Sequence, residues 1–498
     1  MTELVPGLSR ADFAGLPPLA PFGAHGEAPA GLPLRLSLSK GLQSWPVLDA
    51  SGVRIASIHG LLLEGWLGAG LAIADGALQV NRAIATADDF ERHVLRGLNG
   101  SFVAETLGGD LGRRLYLDCG GTLPIVYCAE ARHLGGSADQ LLDDDEYQGR
   151  FLSDRFRRLM AAEGTSGWIP GTLTAHRGVS RLLLNHYLDL DDFTQHRFWP
   201  HAELLSAPLL PLEEAAAIVA RQMAGFSAAA IARYRISIAL TAGLDSRLVL
   251  ASFPGSPGNL SAMTLTDGGV SFDQEMPPRL SAVKGIRHQS VPMLRANEME
   301  IGRWDRMVGH ALRSGNRELH PSLRAVEADV ISTGLYGEPA RCFLYANDWQ
   351  QVNARAADPL NILARLKQPR DAGMEADIEA WLAPVVHLPR STVLDLAYLE
   401  LRMGSWAMGQ HPVQNALHLP LLPFAQWSVQ EAFLAIGLEA RASETLFPRV
   451  GEMLWPEGMR VPINCYGDWR DHSGPLWKLM KHGNFETIRR FLRMKRAD

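Results

Sequence analysis

Arg235-Ile-Ser-Ile-Ala-Leu-Thr-Ala-Gly-Leu-Asp-Ser-Arg-Leu-Val-Leu-Ala251 reads as three pieces of structure in succession. Residues 236–240 form a short apolar, partly β-branched run, the pattern of a buried parallel strand. Thr241, Ala242 and Gly243 are small, so the backbone can turn sharply there and approach a ligand. Residues 246–251 begin a helix that Pro254 and Gly255 stop. A strand, a small-residue loop and a helix N-terminus together make an anion site, because free N–H groups and the helix dipole point at the same place.

Asp245 and Ser246 make the loop more specific than a generic phosphate cradle. A carboxylate beside phosphates is repulsive without a bridging cation, which implies Mg²⁺. Ser246 adds a hydroxyl and an N–H donor. No Lys stands at the Walker position, so the loop is not the common P-loop. The same residues also read as a plain strand-to-helix turn capped by Asp-Ser.

With 498 residues the chain exceeds one hydrophobic core, so two or three domains are expected. A content of 47% hydrophobic and 20% charged residues is ordinary for a globular protein, and a net charge of −6 argues against a nucleic-acid binder. Cys119, Cys128, Cys342 and Cys465 lack metal-ligand spacing and form no disulfide framework, which suggests a reducing cytoplasm. The N-terminus lacks the marks of a signal peptide, and no apolar run is long enough to span a membrane.

Residues 1–51 are rich in Pro and Gly and read as loops with one or two short strands. Strand-like runs then recur to about residue 141. Residues 100–106, 114–118 and 124–128 are three of them, and Cys119-Gly-Gly-Thr-Leu123 predicts a hairpin between the last two. Residues 151–162 predict a helix. Trp168-Ile-Pro-Gly-Thr172 and Arg197-Phe-Trp-Pro200 punctuate a bridge and read as interdomain packing.

The second half opens at Pro211 with a helix whose Ala215, Val219, Met223, Phe226 and Ala230 share one buried face. Further strands are predicted at 260–265, 288–293 and 329–333. Between them lie a partial helix over 273–284, opened by Pro277 or Pro278, and a long helix over 295–313. Alternating strands and helices imply a parallel sheet with ligands at the strand C-terminal ends. The last strand runs into Gly334-Leu-Tyr-Gly-Glu-Pro-Ala-Arg341, where Glu338 is the only carboxylate and Arg341 is set to neutralise charge or pair with Glu338. Tyr336 reads as a packing aromatic. Residues from about 377 onward look helical.

Leu240-Thr-Ala-Gly-Leu-Asp-Ser246 resembles the Ser-Gly-Gly-x-Asp-Ser pyrophosphate loop of the N-type ATP pyrophosphatases, and most closely that of the asparagine synthetase branch. That branch includes the β-lactam synthetases and lasso-peptide cyclases. Residues 334–341 resemble its second loop, Gly-Glu-Gly-x-Asp-Glu. Leu98, Gly100, Phe102, Asp118, Gly121, Pro124, Tyr127 and Gly136-Ser137 resemble its glutamine-amidotransferase domain. Pro420-Leu-Leu-Pro-Phe424 resembles its helical C-terminal lobe, and the stretch 455–464 resembles the segment preceding its catalytic Lys.

The resemblance implies an Ntn-hydrolase-like, antiparallel β-rich domain over 1–200 and an ATP-pyrophosphatase-like α/β domain with a helical lobe over 201–498. It implies ATP held by Leu240, Thr241, Ala242, Gly243, Leu244, Asp245, Ser246, Thr264 and Gly334, with Mg²⁺ on Asp245 and Glu338, which are also the catalytic candidates. The implied chemistry is an amide-forming ligation. ATP adenylates a carboxylate, pyrophosphate leaves, and an amine attacks.

Departures from the family are plain. The chain begins Met1-Thr2, without the N-terminal Cys nucleophile, so the first domain reads as a scaffold without glutaminase chemistry. Leu335 stands where the family has a Glu, and no catalytic Lys appears near Pro462 or Asn464; Lys478 and Lys481 lie later. The amine is then free ammonia, part of the substrate, or supplied by a partner protein. A non-catalytic nucleotide-binding partner and a conventional glutamine-dependent asparagine synthetase are the rival readings.

Overall fold

The computed structural model describes residues 24–28, 34–39, 41–155 and 167–471. Thr2, Lys478, Lys481 and most of the helix predicted over 151–162 lie outside these residues. The protein is mixed α/β, with antiparallel β-rich sheets in the N-terminal part and an all-parallel sheet with helices in the C-terminal part.

The N-terminal strands are β1 (Ala24–Glu27), β2 (Arg35–Leu38), β3 (Gln43–Leu48), β4 (Arg54–Leu62), β5 (Leu71–Ala74), β6 (Ala77–Val80), β7 (Gly100–Thr106), β8 (Arg114–Leu117), β9 (Val126–Cys128), β10 (His133–Gly135), β11 (Ser180–Arg181), β12 (His186–Asp189) and β13 (Gln195–Arg197). They form a five-stranded sheet, β11-β9-β10-β1-β2, and an eight-stranded one, β13-β12-β8-β7-β4-β3-β6-β5. All recorded pairings are antiparallel except β3 with β6.

The predicted hairpin between residues 114–118 and 124–128 does not form, because β8 and β9 belong to different sheets. Asp118 explains the crossing. Its buried carboxylate accepts hydrogen bonds from Gly120 N (2.9 Å), Thr122 N (3.0 Å), Thr122 Oγ1 (2.7 Å) and Phe102 N (3.3 Å). Gly121, at φ +56°, completes a turn wrapped around that side chain. The chain therefore leaves one sheet for the other instead of folding back. Burial pushes the Asp118 carboxyl up to about 6, against these hydrogen bonds.

In the C-terminal part, β14 (Ile236–Ala239), β15 (Leu260–Thr266), β16 (Arg287–Pro292), β17 (Val330–Ser332) and β18 (Leu419–Leu421) are ordered β16-β15-β14-β17-β18, every pair parallel. Strand β14, which leads into the small-residue loop, is thus the central one. The helix Leu212–Ile231 buries Ala215, Val219, Met223, Phe226 and Ala230, the face its spacing predicts.

Three local expectations need correction. The helix predicted over 273–284 begins earlier, at Phe272, and carries Pro277 and Pro278 in its interior. Gln274 N and Glu275 N both bond Ser271 O, so the first turn closes before the prolines. The helix predicted over 295–313 spans only Glu298–Met307. Gly309 (φ +63°) and His310 (φ +52°) then turn the chain left-handed and stop it. The region after residue 377 is not wholly helical, since β18 extends the parallel sheet beside β17.

One hydrophobic cluster runs through both halves. Its polar seam centres on Glu400, fully buried, which accepts from Arg197 Nη2 (2.7 Å) and Trp381 Nε1 (2.8 Å). Trp168 and Trp199 are buried, in keeping with a packing role for both aromatic-proline stretches. Among the described residues, no helix is long and apolar enough to cross a membrane.

Candidate functional site

β14 and β17 are neighbours in register, Ile236 opposite Val330 and Ile238 opposite Ser332. Parallel neighbours send their following loops out of the same sheet edge, so residues 240–243 and 333–337 emerge side by side. The approach is close. A Cβ on Gly334 would meet Asp245 Cβ at 2.6 Å and the Asp245 carbonyl carbon at 2.9 Å. Only glycine permits that contact.

The first loop is tied internally. Thr241 N donates to Ser246 Oγ (3.1 Å), and Gly243 N donates to Thr241 Oγ1 (3.2 Å). Gly243 is extended at φ −71°, ψ 171°, and the helix Leu244–Ser252 follows with Asp245 in its first turn. Ala242 N donates to Asp273 Oδ1 at 2.8 Å. The loop thus already holds an anionic group, supplied by the first turn of the helix Phe272–Lys284. Asp273 is a site residue the sequence reading missed. Its signal was an acidic residue opening the helix just after the neighbouring strand.

Arg247 carries the loop from below. It is fully buried and donates to the carbonyls of Gly458 (3.1 Å), Pro462 (2.6 Å) and Val461. Asn464 N in turn donates to Ala242 O at 3.2 Å. The stretch 458–464 therefore docks on the loop through its backbone, and it brings Asn464, not a lysine, to Ala242.

The second loop is clamped by buried polar side chains. Gln430 Nε2 donates to Tyr336 O (3.0 Å), and Arg441 Nε donates to Pro339 O (2.8 Å) while its Nη2 pairs with Asp395 Oδ1 (2.6 Å). Tyr336 is fully buried, and its hydroxyl donates to Gly120 O (2.7 Å) in the turn around Asp118. It packs, as read from the sequence, and ties the loop to the N-terminal sheets.

The structure brings Asp245 and Glu338 together, though they lie far apart in the chain. One guanidinium joins them. Arg341 Nη2 lies 2.9 Å from both Asp245 carboxylate oxygens and 3.0 Å from Glu338 Oε1. The face of Phe447 backs the guanidinium, its centre 5.2 Å from Arg341 Cζ. Burial raises the Asp245 carboxyl above its ordinary range, opposed by Arg341. Burial also raises that of Glu338, with Arg341 opposing and Asp245 adding to it.

Other candidates take lesser positions. Leu240 is buried in the core, and Thr264 spends its hydroxyl on Leu240 O (2.8 Å) and His288 Nε2 (3.1 Å). Both shape the loop through its backbone. Leu335 is partly buried against the core cluster. No model of a known protein family and no curated protein matches the chain.

Two half-buried carboxylates that share one cation suit a divalent ion bridging to phosphate oxygens. Asp245 and Glu338 fit that requirement once Arg341 yields part of its hold. The N–H groups of Thr241, Ala242 and Gly243 are already engaged within the site, so the donors that fit phosphates are those of the first turn of the helix Leu244–Ser252, together with Ala242 N if Asp273 gives way.

Proposed function

We propose that the protein is an ATP-dependent, amide-forming ligase of the asparagine synthetase-like class, activating a carboxylate by adenylation with release of pyrophosphate. One observation carries the reading. A small-residue loop leading into a helix and a second, glycine-bearing loop meet at adjacent strand ends, where Asp245 and Glu338 share a single cation.

In this reading the loop 240–246 cradles the pyrophosphate part of ATP, with Ala242 N and the first-turn N–H groups of the helix Leu244–Ser252 as the donors and the Ser246 hydroxyl beside them. Asp273 leaves Ala242 N as the phosphate arrives, exchanging one anion for another at the same donor. Asp245 and Glu338 would hold Mg²⁺, which would supply charge neutralisation for the leaving pyrophosphate. Arg341, having yielded part of its hold on the carboxylates and still backed by Phe447, supplies further positive charge where the phosphoanhydride breaks. Adenylation is the reasonable first step because a carboxylate is a poor electrophile and its mixed anhydride with AMP is a good one.

In this reading the N-terminal sheets serve as an Ntn-hydrolase-like scaffold, and the amine is ammonia, part of the substrate or supplied by a partner protein. A second reading, a non-catalytic nucleotide-binding partner, draws on Arg341 already satisfying both carboxylates and on Leu335 in place of a base. Calorimetric titration of ATP separates these readings from a structural turn. Asp245→Asn should weaken ATP binding in Mg²⁺ by roughly 2–4 kcal/mol, and much less without Mg²⁺. Equal affinities in Mg²⁺ would remove the loop from nucleotide binding.

A further inference from the structure

Arg402 differs from every other guanidinium of this region. Arg341 has its pair of carboxylates, and Arg441 has Asp395. Arg402 forms no ion pair and donates no hydrogen bond among the described residues, and its Nε is buried without a partner. Its Cζ lies 5.1 Å from the ring centre of Phe343 and 5.1 Å from that of Trp406. Phe343 follows directly on the second loop and is 44% exposed. Its ring also stands edge-on to buried Tyr398, centroids 5.4 Å apart. Phe343 stands two residues after Arg341, so its stacking ties Arg402 to the segment that carries the carboxylate cluster.

A partly buried guanidinium with no anion in hydrogen-bond contact loses hydration that its two aromatic neighbours offset only in part. Aromatic faces beside a guanidinium restrict its plane, and with Nε buried the outer Nη1 and Nη2 donors are the pair left to receive a carboxylate in two parallel hydrogen bonds. Arg402 also lies within the π-helical segment Ala397–Ala407. Such wide turns recur at functional sites because they push one side chain out of the regular ladder.

We propose that Arg402 is the receptor for the carboxylate of the acid substrate, and that this acid carries an apolar or aromatic body that rests on Phe343. The assignment rests on the reading of the neighbouring cluster as one that activates a carboxylic acid. A carboxylate fits better than a phosphate here. The phosphate donors lie on the first loop, and the exposed ring of Phe343 offers nothing to a phosphate.

The test uses the whole protein without ATP, so that it does not depend on adenylation. The probes are 3-phenylpropionate and its neutral amide, titrated calorimetrically into wild type, Arg402→Met and Arg402→Lys. Wild type should bind the acid in preference to the amide. Arg402→Met should weaken the acid by about tenfold to a hundredfold, the loss of a charged two-point contact, and leave the amide unchanged. Arg402→Lys keeps the charge without the planar fork and should lose about tenfold; it stands alone if the Met variant does not fold. Equal binding of acid by wild type and variants, or no preference for acid over amide, overturns the proposal. So does a fall in ATP affinity on Arg402→Met, which would give the guanidinium to phosphate. Acid-dependent pyrophosphate exchange by wild type, measured separately, reports on the activation reading alone.

Discussion

Arg341→Met removes the cation between Asp245 and Glu338 and keeps most of the side-chain volume. Deleting one partner of a buried ion pair costs about 3–5 kcal/mol, because the other charge is left uncompensated. Here the side chains of Arg341, Asp245 and Glu338 are 16%, 28% and 31% exposed. Solvent therefore screens part of the effect, which leaves roughly 2–3 kcal/mol. For a cooperative unit of about 250 residues, each kcal/mol moves Tm by ~2 °C, so a fall of ~4–6 °C is expected at pH 8. Without the guanidinium, both carboxyls rise further in the folded protein. A raised carboxyl favours folding at low pH and loses that advantage as pH climbs through its folded value. The penalty should then be smaller at pH 5 than at pH 8, because lowering the pH moves both raised carboxyls toward the neutral form. Mg²⁺ should restore stability to Arg341→Met and do little to wild type. Adding Asp245→Asn should recover stability without Mg²⁺. Differential scanning calorimetry at both pH values, with and without Mg²⁺, reads all of this. An Arg341→Met variant as stable as wild type, indifferent to Mg²⁺ and pH, would refute the idea of a shared cation site.

Other consequences follow from single contacts. Gly334→Ala pushes a Cβ into Asp245 at 2.6 Å and should cost about 1–3 kcal/mol in chemical denaturation, as overpacking does, with ATP affinity falling alongside. Glu91 is buried against Tyr116 and Arg114, and burial pushes its carboxyl from 4.5 up to about 7. Its contribution to folding is present below pH 4.5 and lost as pH rises through 7. Glu91→Gln should flatten that slope, removing up to roughly 3 kcal/mol of pH dependence in urea titrations. Purified protein should release no glutamate from glutamine, with or without ATP; robust release abolished by Thr2→Ala would reverse this.

The parallel sheet was legible where local chemistry and tertiary position agreed. Ile236, Ile238 and Val330 are β-branched residues in short runs ended by small residues, and buried parallel strands need just that. The meeting of Asp245 with Glu338 followed from topology, since each comes after a strand of one parallel sheet. What local chemistry could not show came from distant partners. β18 pairs with β17 across a long crossover, and its Pro420 hides the strand pattern. The turn after Asp118 looked like a hairpin because glycines mark a turn but not which sheet the chain enters next. Asp273 and Arg402 gave no motif. Each matters through what it touches or lacks in space, and the π-helical register of residues 397–407 leaves no period to read.

Isotope exchange reads the proposed activation of a carboxylate by ATP without any knowledge of the amine. Labelled pyrophosphate should enter ATP only when a suitable carboxylic acid is present. Asp245→Asn and Glu338→Gln should each suppress this, and their double variant should be little worse than the worse single one, since both carboxylates act on one cation. Exchange without any acid, undiminished exchange in both single variants, or no exchange across a broad panel of amino, aromatic and sugar acids would contradict the account.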